Sequence, residues 1–236
     1  MNRLVVALCG CGCILVVDDA LLPELEATLA AEERERANRY HFERDRSRFV
    51  VCRSSQRRIL ASYCDQPADQ IEFTYAERGK PSLRADAVSA EISFNLSNSR
   101  DLALCAVSRG AELGVDVEKV REMRDLKQLA EHFFAASEIL ALDQLEGEQQ
   151  LQSFFAIWTR KEAILKAVGT GLAFPLDQVV VTASPDDSRL LRFGDDTSSE
   201  SWWIESLNPG LDYVGAVATR AKPASVRCLS FDPAAI

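Results

Sequence analysis

The stretch Gly114-Val115-Asp116-Val117-Glu118 decides how this chain of 236 residues is interpreted. Apolar and acidic residues alternate in it, and successive side chains of a β-strand point to opposite faces, so Asp116 and Glu118 share one face. An alternating acidic strand is by itself most often an exposed edge or face of a sheet. The pattern therefore predicts a strand, and a second acidic segment is needed before it indicates a site.

That second segment is Trp158-Thr159-Arg160-Lys161-Glu162-Ala163-Ile164-Leu165-Lys166. It is rich in helix-forming residues, and the i, i+4 spacing places Glu162 and Lys166 on one face. Two carboxylates from a strand and one from a helix would form an open oxygen site. Such a site suits Mg²⁺, or Mn²⁺ in its place, because Mg²⁺ takes few protein ligands and completes its shell with water and substrate phosphates. If the segments meet, they indicate phosphoryl or pyrophosphate chemistry, with the lysine neutralising a phosphate.

The overall charge narrows the classes of partner. The chain carries 27 Lys and Arg against 36 Asp and Glu, a net charge of −9, which argues against general nucleic-acid binding. The apolar stretch Leu4 to Val17 is shorter than the about 20 residues that cross a bilayer, and Asp18-Asp19 follow it directly. The seven cysteines include no CxxC pair, which argues against a zinc ribbon or a thioredoxin-like motif. The simplest interpretation is that they are reduced thiols in a reducing compartment. We expect a cytoplasmic protein that binds neither nucleic acid nor membrane.

Hydrophobic periodicity predicts a chain of alternating helical and strand-rich parts. Helices are expected at 21–29, 30–40, 43–63, 126–134, 136–145 and 150–168, the last one stopping at Gly169. Strands are expected within 4–17 and at 71–75, 92–97, 102–107, 113–118, 179–182, 190–193, 202–205 and 213–217. The polar residues Asn98-Ser99-Arg100-Asp101 are expected to form a turn between two of them.

Taken together, the two acidic segments resemble the signature motifs of the 4′-phosphopantetheinyl transferases. The match is closer to the monomeric, two-lobed kind, the surfactin-synthetase-activating type. Supporting segments occur in the expected order along most of the chain: the basic helical region Glu35-Arg36 through Arg48 and Arg53, then Arg78-Gly79-Lys80-Pro81, Phe94-Asn95-Leu96-Ser97 and Gly169-Thr170-Gly171-Leu172. The resemblance predicts a member of this family.

The resemblance implies a reaction and a set of catalytic residues. The phosphopantetheine arm of coenzyme A (CoA) would pass to a serine of an apo acyl- or peptidyl-carrier protein, releasing adenosine 3′,5′-bisphosphate. By the family pattern Asp116, Glu118 and Glu162 bind Mg²⁺. Glu162 would also act as, or position, the base that deprotonates the incoming serine, and Lys166 would stabilise the leaving phosphate. Glu138 is expected near a water of the metal.

The resemblance also implies a set of residues that bind CoA: Arg36, Arg53, Arg78, Lys80, Pro81, Asn95, Ser97 and Asn98. One of them departs from the family pattern, which has Ser-His-Ser where this chain has Ser97-Asn98-Ser99. An asparagine amide can donate a hydrogen bond, but it carries no charge and transfers no proton. We therefore expect weaker CoA binding or a slower rate rather than inactivity.

The architecture expected with this resemblance is α+β. Residues 1–110 and 111–236 would form two similar lobes, each a small antiparallel sheet packed by helices, with the active site in the cleft between them. The resemblance also leads us to expect that this protein is a monomer. Two other functions stay open from the residues alone: a Mg²⁺-dependent nucleotide pyrophosphohydrolase, and a non-catalytic CoA- or carrier-binding homologue, which Asn98 suggests.

Overall fold

The computed structural model describes residues 3–9, 15–76, 79–84, 91–195, 202–210, 212–220 and 222–234. Its helices are α1 (Leu22–Ala27), α2 (Ala31–Ala37), α3 (Glu43–Cys64), α4 (Leu126–Phe133), α5 (Ala136–Leu142) and α6 (Gly147–Val168). Its strands are β1 (Arg3–Cys9), β2 (Phe73–Tyr75), β3 (Pro81–Leu83), β4 (Ile92–Ser99), β5 (Leu102–Arg109), β6 (Leu113–Lys119), β7 (Val179–Val181), β8 (Leu190–Phe193), β9 (Trp203–Leu207), β10 (Tyr213–Thr219) and β11 (Ser225–Phe231).

The two long helices end where the chain turns left-handed. At the C-terminus of α3, Asp65 takes a φ of 54°, and at the C-terminus of α6, Gly169 takes a φ of 79°. In both cases the amide of the cap residue donates back to a carbonyl of the last turn, which satisfies an otherwise unpaired acceptor. The predicted stop of the second helix at Gly169 is confirmed.

The strands form two larger sheets and two small hairpins. The first sheet has the order β11-β1-β5-β4, and the second has the order β6-β10-β9. The pairs β2-β3 and β7-β8 stand apart. All pairs are antiparallel except β1 and β11, which run parallel. The predicted α+β class, with small sheets packed by helices, is confirmed.

The second sheet lies between two hydrophobic cores. Val115 and Val117 on β6 join the core that contains the first sheet and α3. Ala216 and Ala218 on β10 join the core formed with α4 and α6. The two-residue period of β6 therefore turns its valines toward the first sheet and its acidic residues toward α6.

The structure corrects two expectations about local structure. Asn98 and Ser99 continue strand β4 instead of starting a turn, and the reversal falls at Arg100, whose φ is 55°. Strand β11, which local periodicity did not predict, pairs with β1 and so brings the end of the chain into the first sheet. This pairing joins a strand from residues 1–110 to a strand from residues 111–236.

Helix length and hydropathy decide whether a helix can cross a membrane. Among the described residues, no helix combines the length and apolar character needed to cross a bilayer.

Candidate active site

Strand β6 and helix α6 approach each other unusually closely at Gly114. A β-carbon built on this glycine would lie 2.1 Å from the carbonyl oxygen of Ala163 and 2.4 Å from the amide nitrogen of Ala167. Both atoms belong to the backbone of α6, so any side chain at position 114 would collide with the helix. The glycine lets the strand that carries Asp116 and Glu118 lie directly against the helix that carries Glu162 and Lys166.

The charged residues of the helix motif point in two different directions. Arg160 and Lys161 are fully buried beside the core that contains α4 and Ala216 and Ala218 of β10. The guanidinium of Arg160 donates to Thr182 O and to Ser206 Oγ, each at 2.7 Å. The ammonium of Lys161 donates to Leu176 O and Val179 O. These two residues tie α6 to the neighbouring loops and strands, which leaves Glu162 and Lys166 for the face toward β6.

An ion pair connects the helix to the strand. Lys166 Nζ lies 2.6 Å from Asp116 Oδ1 and 3.0 Å from Ser97 Oγ. Ser97 Oγ in turn donates to the same Asp116 oxygen at 2.8 Å. The two acidic segments recognised in the sequence therefore do meet, and β4 supplies a third partner. Ser97 was predicted to contact CoA, whereas here it contacts Asp116 and Lys166.

Side chains of β4 also hold the rest of β6. Ser99 Oγ donates to Glu118 Oε2 at 2.7 Å and accepts from the amide of Lys119 at 3.2 Å. Asn95 Oδ1 accepts from the amide of Val115 at 2.9 Å. Because alternate residues of β4 make these bonds, one polar face of that strand fixes both predicted metal-binding residues of β6.

The acidic cluster keeps free oxygen atoms in a poorly solvated place. Asp116 Oδ2 and Glu162 Oε1 are buried, and neither has a hydrogen-bond partner among the described residues. Burial raises the pKa of Glu162, and the nearby Asp116 carboxylate raises it further. Burial also raises the pKa of Glu118, against the lowering effect of its bond from Ser99. Unpartnered carboxylate oxygens that repel one another form an environment that favours a bound cation.

The cluster is nevertheless not a complete protein cage for a metal. Among the described residues, no three His, Cys, Asp or Glu side chains converge closely enough to hold an ion between them. Lys166 occupies one oxygen of Asp116. The donor set is all oxygen and fits Mg²⁺, which keeps several waters and binds through one or two carboxylates together with substrate phosphates.

A basic cavity of about 450 Å³ is lined in part by Asn95, Leu96 and Asn98 of β4. Four arginines line it, opposed by the single carboxylate of Asp45, and the rest of its wall is aromatic, polar or small. The lining residues are Arg36, Tyr40, Asp45, Arg48, Phe49, Cys52, Arg53, Gln56, Pro81, Asn95, Leu96, Asn98 and Arg100. Five of the eight residues predicted to bind CoA are therefore brought together: Arg36, Arg53, Pro81, Asn95 and Asn98.

Phe49 contacts two of the four arginines at this cavity. The guanidinium of Arg36 lies 5.3 Å from the centre of the Phe49 ring, and that of Arg53 lies 5.9 Å from it. Tyr40 packs against the same ring at 5.5 Å between centroids. Cation–π contacts keep the arginines extended over an apolar base. An anionic ligand with a flat aromatic part, such as a nucleotide, matches these surroundings.

Several cavity residues were not predicted to contact CoA, among them Arg48, Phe49, Gln56 and Arg100. Three of these lie on α3, where Asp45, Arg48, Phe49, Cys52, Arg53 and Gln56 recur at intervals of three or four residues. That spacing is the signature of one helical face, and it could have found them. Arg100 carries no comparable signal.

Lys80 and Ser97 are not part of the cavity wall. Lys80 Nζ donates to the carbonyls of Ala167 at 2.8 Å and Leu113 at 3.4 Å, where burial lowers its pKa. Lys80 therefore bridges the end of α6 and the start of β6. Arg78 lies outside the described residues.

Glu138 bonds to residues outside the acidic cluster, which does not support its expected place near a water of the metal. Its carboxylate is buried, pairs with Lys161 Nζ at 2.6 Å, and accepts from the amides of Ala135 and Val181 at 2.8 Å each. Burial raises the pKa of Glu138, partly offset by Lys161. Both oxygens are engaged, so Glu138 caps α5 and neutralises a buried lysine.

Two family models match the chain in succession. The model described as 4′-phosphopantetheinyl transferase, N-terminal, matches residues 21–109. The model described as 4′-phosphopantetheinyl transferase superfamily matches residues 112–218. The first match contains the arginines of the cavity, and the second contains the acidic cluster and Lys166.

Curated proteins from several bacteria are similar over most of the chain. The 4′-phosphopantetheinyl transferase HetI of Nostoc sp. is 38% identical over 200 residues, covering 85% of this chain and 82% of the relative. The 4′-phosphopantetheinyl transferase psf-1 of Bacillus pumilus is 33% identical over 204 residues, covering 86% and 84%. The 4′-phosphopantetheinyl transferase Sfp of Bacillus subtilis is 25% identical over 204 residues, covering 86% and 88%.

Proposed function

The chain belongs to the 4′-phosphopantetheinyl transferase superfamily, and we propose that it transfers the 4′-phosphopantetheine arm of CoA to a serine of an apo acyl- or peptidyl-carrier protein. In this reaction the serine oxygen forms a bond to the phosphorus that carries pantetheine. The bond from that phosphorus to the bridging oxygen breaks, and the oxygen leaves with adenosine 3′,5′-bisphosphate. The proton of the serine hydroxyl passes to a base.

The observation that carries this proposal is that a single strand, β4, connects a basic cavity to an acidic cluster. Asn95 and Asn98 of β4 line the cavity, while Ser97 and Ser99 bond to the carboxylates of β6. CoA has a matching division, with a nucleotide carrying a 3′-phosphate at one end and a reactive pyrophosphate beside it. We assign the nucleotide end to the arginines and the pyrophosphate to the acidic cluster.

The acidic cluster would hold Mg²⁺ through Asp116, Glu118 and Glu162 once these side chains draw together around the ion, and two of them have a buried oxygen without a partner among the described residues. Bound there, the ion would neutralise charge that develops on the pyrophosphate oxygens. Lys166 can donate to a phosphate oxygen once a substrate competes with Asp116 for its ammonium. This positive group supplies the electrostatic stabilisation on which phosphoryl transfer mainly depends.

Glu162 is the residue that we assign as the base for the serine. A carboxylate of ordinary pKa accepts a proton from a hydroxyl poorly, and burial beside Asp116 raises the pKa of Glu162. One oxygen of this carboxylate is buried without a hydrogen-bond partner in the described part of the chain, and with Mg²⁺ on one oxygen the other would accept the proton. These properties suit proton transfer as the serine attacks.

The test is intact-protein mass spectrometry of an apo carrier protein incubated with this protein, CoA and Mg²⁺, with EDTA in a parallel sample. We expect a mass gain of one phosphopantetheine arm that EDTA abolishes. CoA cleaved while the carrier keeps its mass would instead indicate a nucleotide pyrophosphohydrolase. CoA bound but neither cleaved nor transferred, across acyl- and peptidyl-carriers, would indicate a binding protein.

A further inference from the structure

Gln56 lies beneath the basic cavity, next to Arg53. Its side chain is on the face of α3 that lines the cavity, and the residue is 0% exposed. Its carbonyl oxygen, Oε1, accepts a hydrogen bond from Arg53 Nη1 at 2.6 Å. This contact joins a buried neutral residue to one of the arginines that face the anionic ligand.

Arg53 has few other restraints. Its Nε lies 3.8 Å from Glu33 Oε1, too far for a hydrogen bond, and its guanidinium lies beside the Phe49 ring. The other Glu33 oxygen, Oε2, accepts a hydrogen bond from Arg57 Nε at 2.6 Å, and Oε1 is buried without a hydrogen-bond partner among the described residues. Among the described residues, the hydrogen bond that Arg53 Nη1 donates to Gln56 Oε1 is therefore the short, directional contact that fixes the orientation of the Arg53 guanidinium.

Gln56 is a poor choice for stability alone. Its amide nitrogen, Nε2, is buried and has no hydrogen-bond partner among the described residues. An apolar side chain of similar size would fill the same space without leaving a buried donor unsatisfied. Residues that break such a local rule are often kept for function.

We propose that Gln56 is a positioning residue for CoA, acting through Arg53. The carbonyl oxygen holds the guanidinium in the orientation that meets an anionic group of the nucleotide end, so less side-chain freedom is lost when the ligand binds. This inference rests on the assignment of the cavity to CoA. It adds a residue that neither motif contains and gives it a role distinct from direct contact.

The experiment is isothermal titration calorimetry of CoA with the full-length protein and a double-mutant cycle of Gln56→Met and Arg53→Met. Gln56→Met should weaken CoA binding about tenfold, the loss expected for one hydrogen bond to a charged group. In the Arg53→Met background, the same Gln56→Met change should have no further effect. The thermal midpoint of the Gln56→Met single variant should not fall below that of the wild type, because the buried, unpartnered Nε2 donor of Gln56 is gone.

Ser55→Ala is the matched control, since Ser55 is a fully buried neighbour on α3 with an unpartnered hydroxyl and lies outside the cavity wall. It should leave CoA affinity unchanged. Equal losses from Gln56→Met in both backgrounds, or no loss in either, would overturn the inference. A wild-type protein that binds CoA but transfers nothing would refute the transferase proposal, while the cycle would still decide the role of Gln56.

Discussion

Gly114→Ala tests whether the close contact of β6 with α6 builds the active site. The added methyl group would sit 2.1 Å from Ala163 O and 2.4 Å from Ala167 N, both on the helix backbone. Backbone atoms cannot rotate out of the way as the end of a side chain can. The helix would have to move off the strand by roughly 1 Å or more to restore ordinary van der Waals separation.

That displacement has two consequences of different size. Overpacking of this kind lowers the free energy of unfolding by roughly 2–3 kcal/mol. The same movement separates Lys166 and Glu162 on the helix from Asp116 on the strand, and it stretches the 2.6 Å contact between Lys166 Nζ and Asp116 Oδ1. A misplacement of about 1 Å can cost roughly 100-fold in rate, so turnover should fall more than stability alone would explain.

The assays are urea denaturation and initial rates of carrier modification, both below the midpoint temperature of the variant. Gly147→Ala is the control, because Gly147 starts the same helix and has open space around its α-carbon, with a φ of 56°. That change should cost about 1 kcal/mol of strain without affecting the rate. A Gly114→Ala protein with wild-type stability and rate would refute the reasoning about close approach.

Three further substitutions test individual assignments. Glu138→Gln should lower the free energy of unfolding, measured by urea denaturation, by roughly 3 kcal/mol, because it leaves the charge of the buried Lys161 without a counter-ion. A change below about 1 kcal/mol would contradict the role of Glu138 as the partner of Lys161. Asp116→Ala should abolish transfer in the mass assay while circular dichroism stays native, and activity near wild type would remove Asp116 from the metal site. Asn98→His should raise kcat/KM for CoA about fivefold. The gain should be larger at pH 6 than at pH 8, because a histidine side chain of ordinary pKa is protonated below about pH 6.5. An unchanged or lower value would mean that the pocket has adapted to asparagine.

The parts of the site that the sequence predicted depend on local periodicity. The two-residue period of β6 put Asp116 and Glu118 on one face, and the helical spacing of α6 put Glu162 and Lys166 on another. The structure brings these faces together around the Lys166–Asp116 pair. Family resemblance supplied the expectation that they meet, since periodicity places a residue on a face without saying what covers that face.

The parts that could not be predicted depend on contacts between distant segments. Arg160 and Lys161 have charges typical of an exposed helix, yet both are fully buried because carbonyls from later loops accept their hydrogen bonds. The pairing of β11 with β1 joins the two ends of the described chain, and nothing in either strand alone specifies the other. Glu138 is likewise explained by Lys161, which lies on a different helix.

The central claim is that the arginine cavity and the acidic cluster bind two ends of the same CoA molecule. A crystal structure with CoA and Mn²⁺, using the anomalous signal of the metal, tests it most directly. We predict the metal on oxygens of Asp116, Glu118 and Glu162, beside the pyrophosphate, with the 3′-phosphate among Arg36, Arg53 and their neighbours. CoA bound outside the cavity, or a metal held elsewhere, would contradict the account.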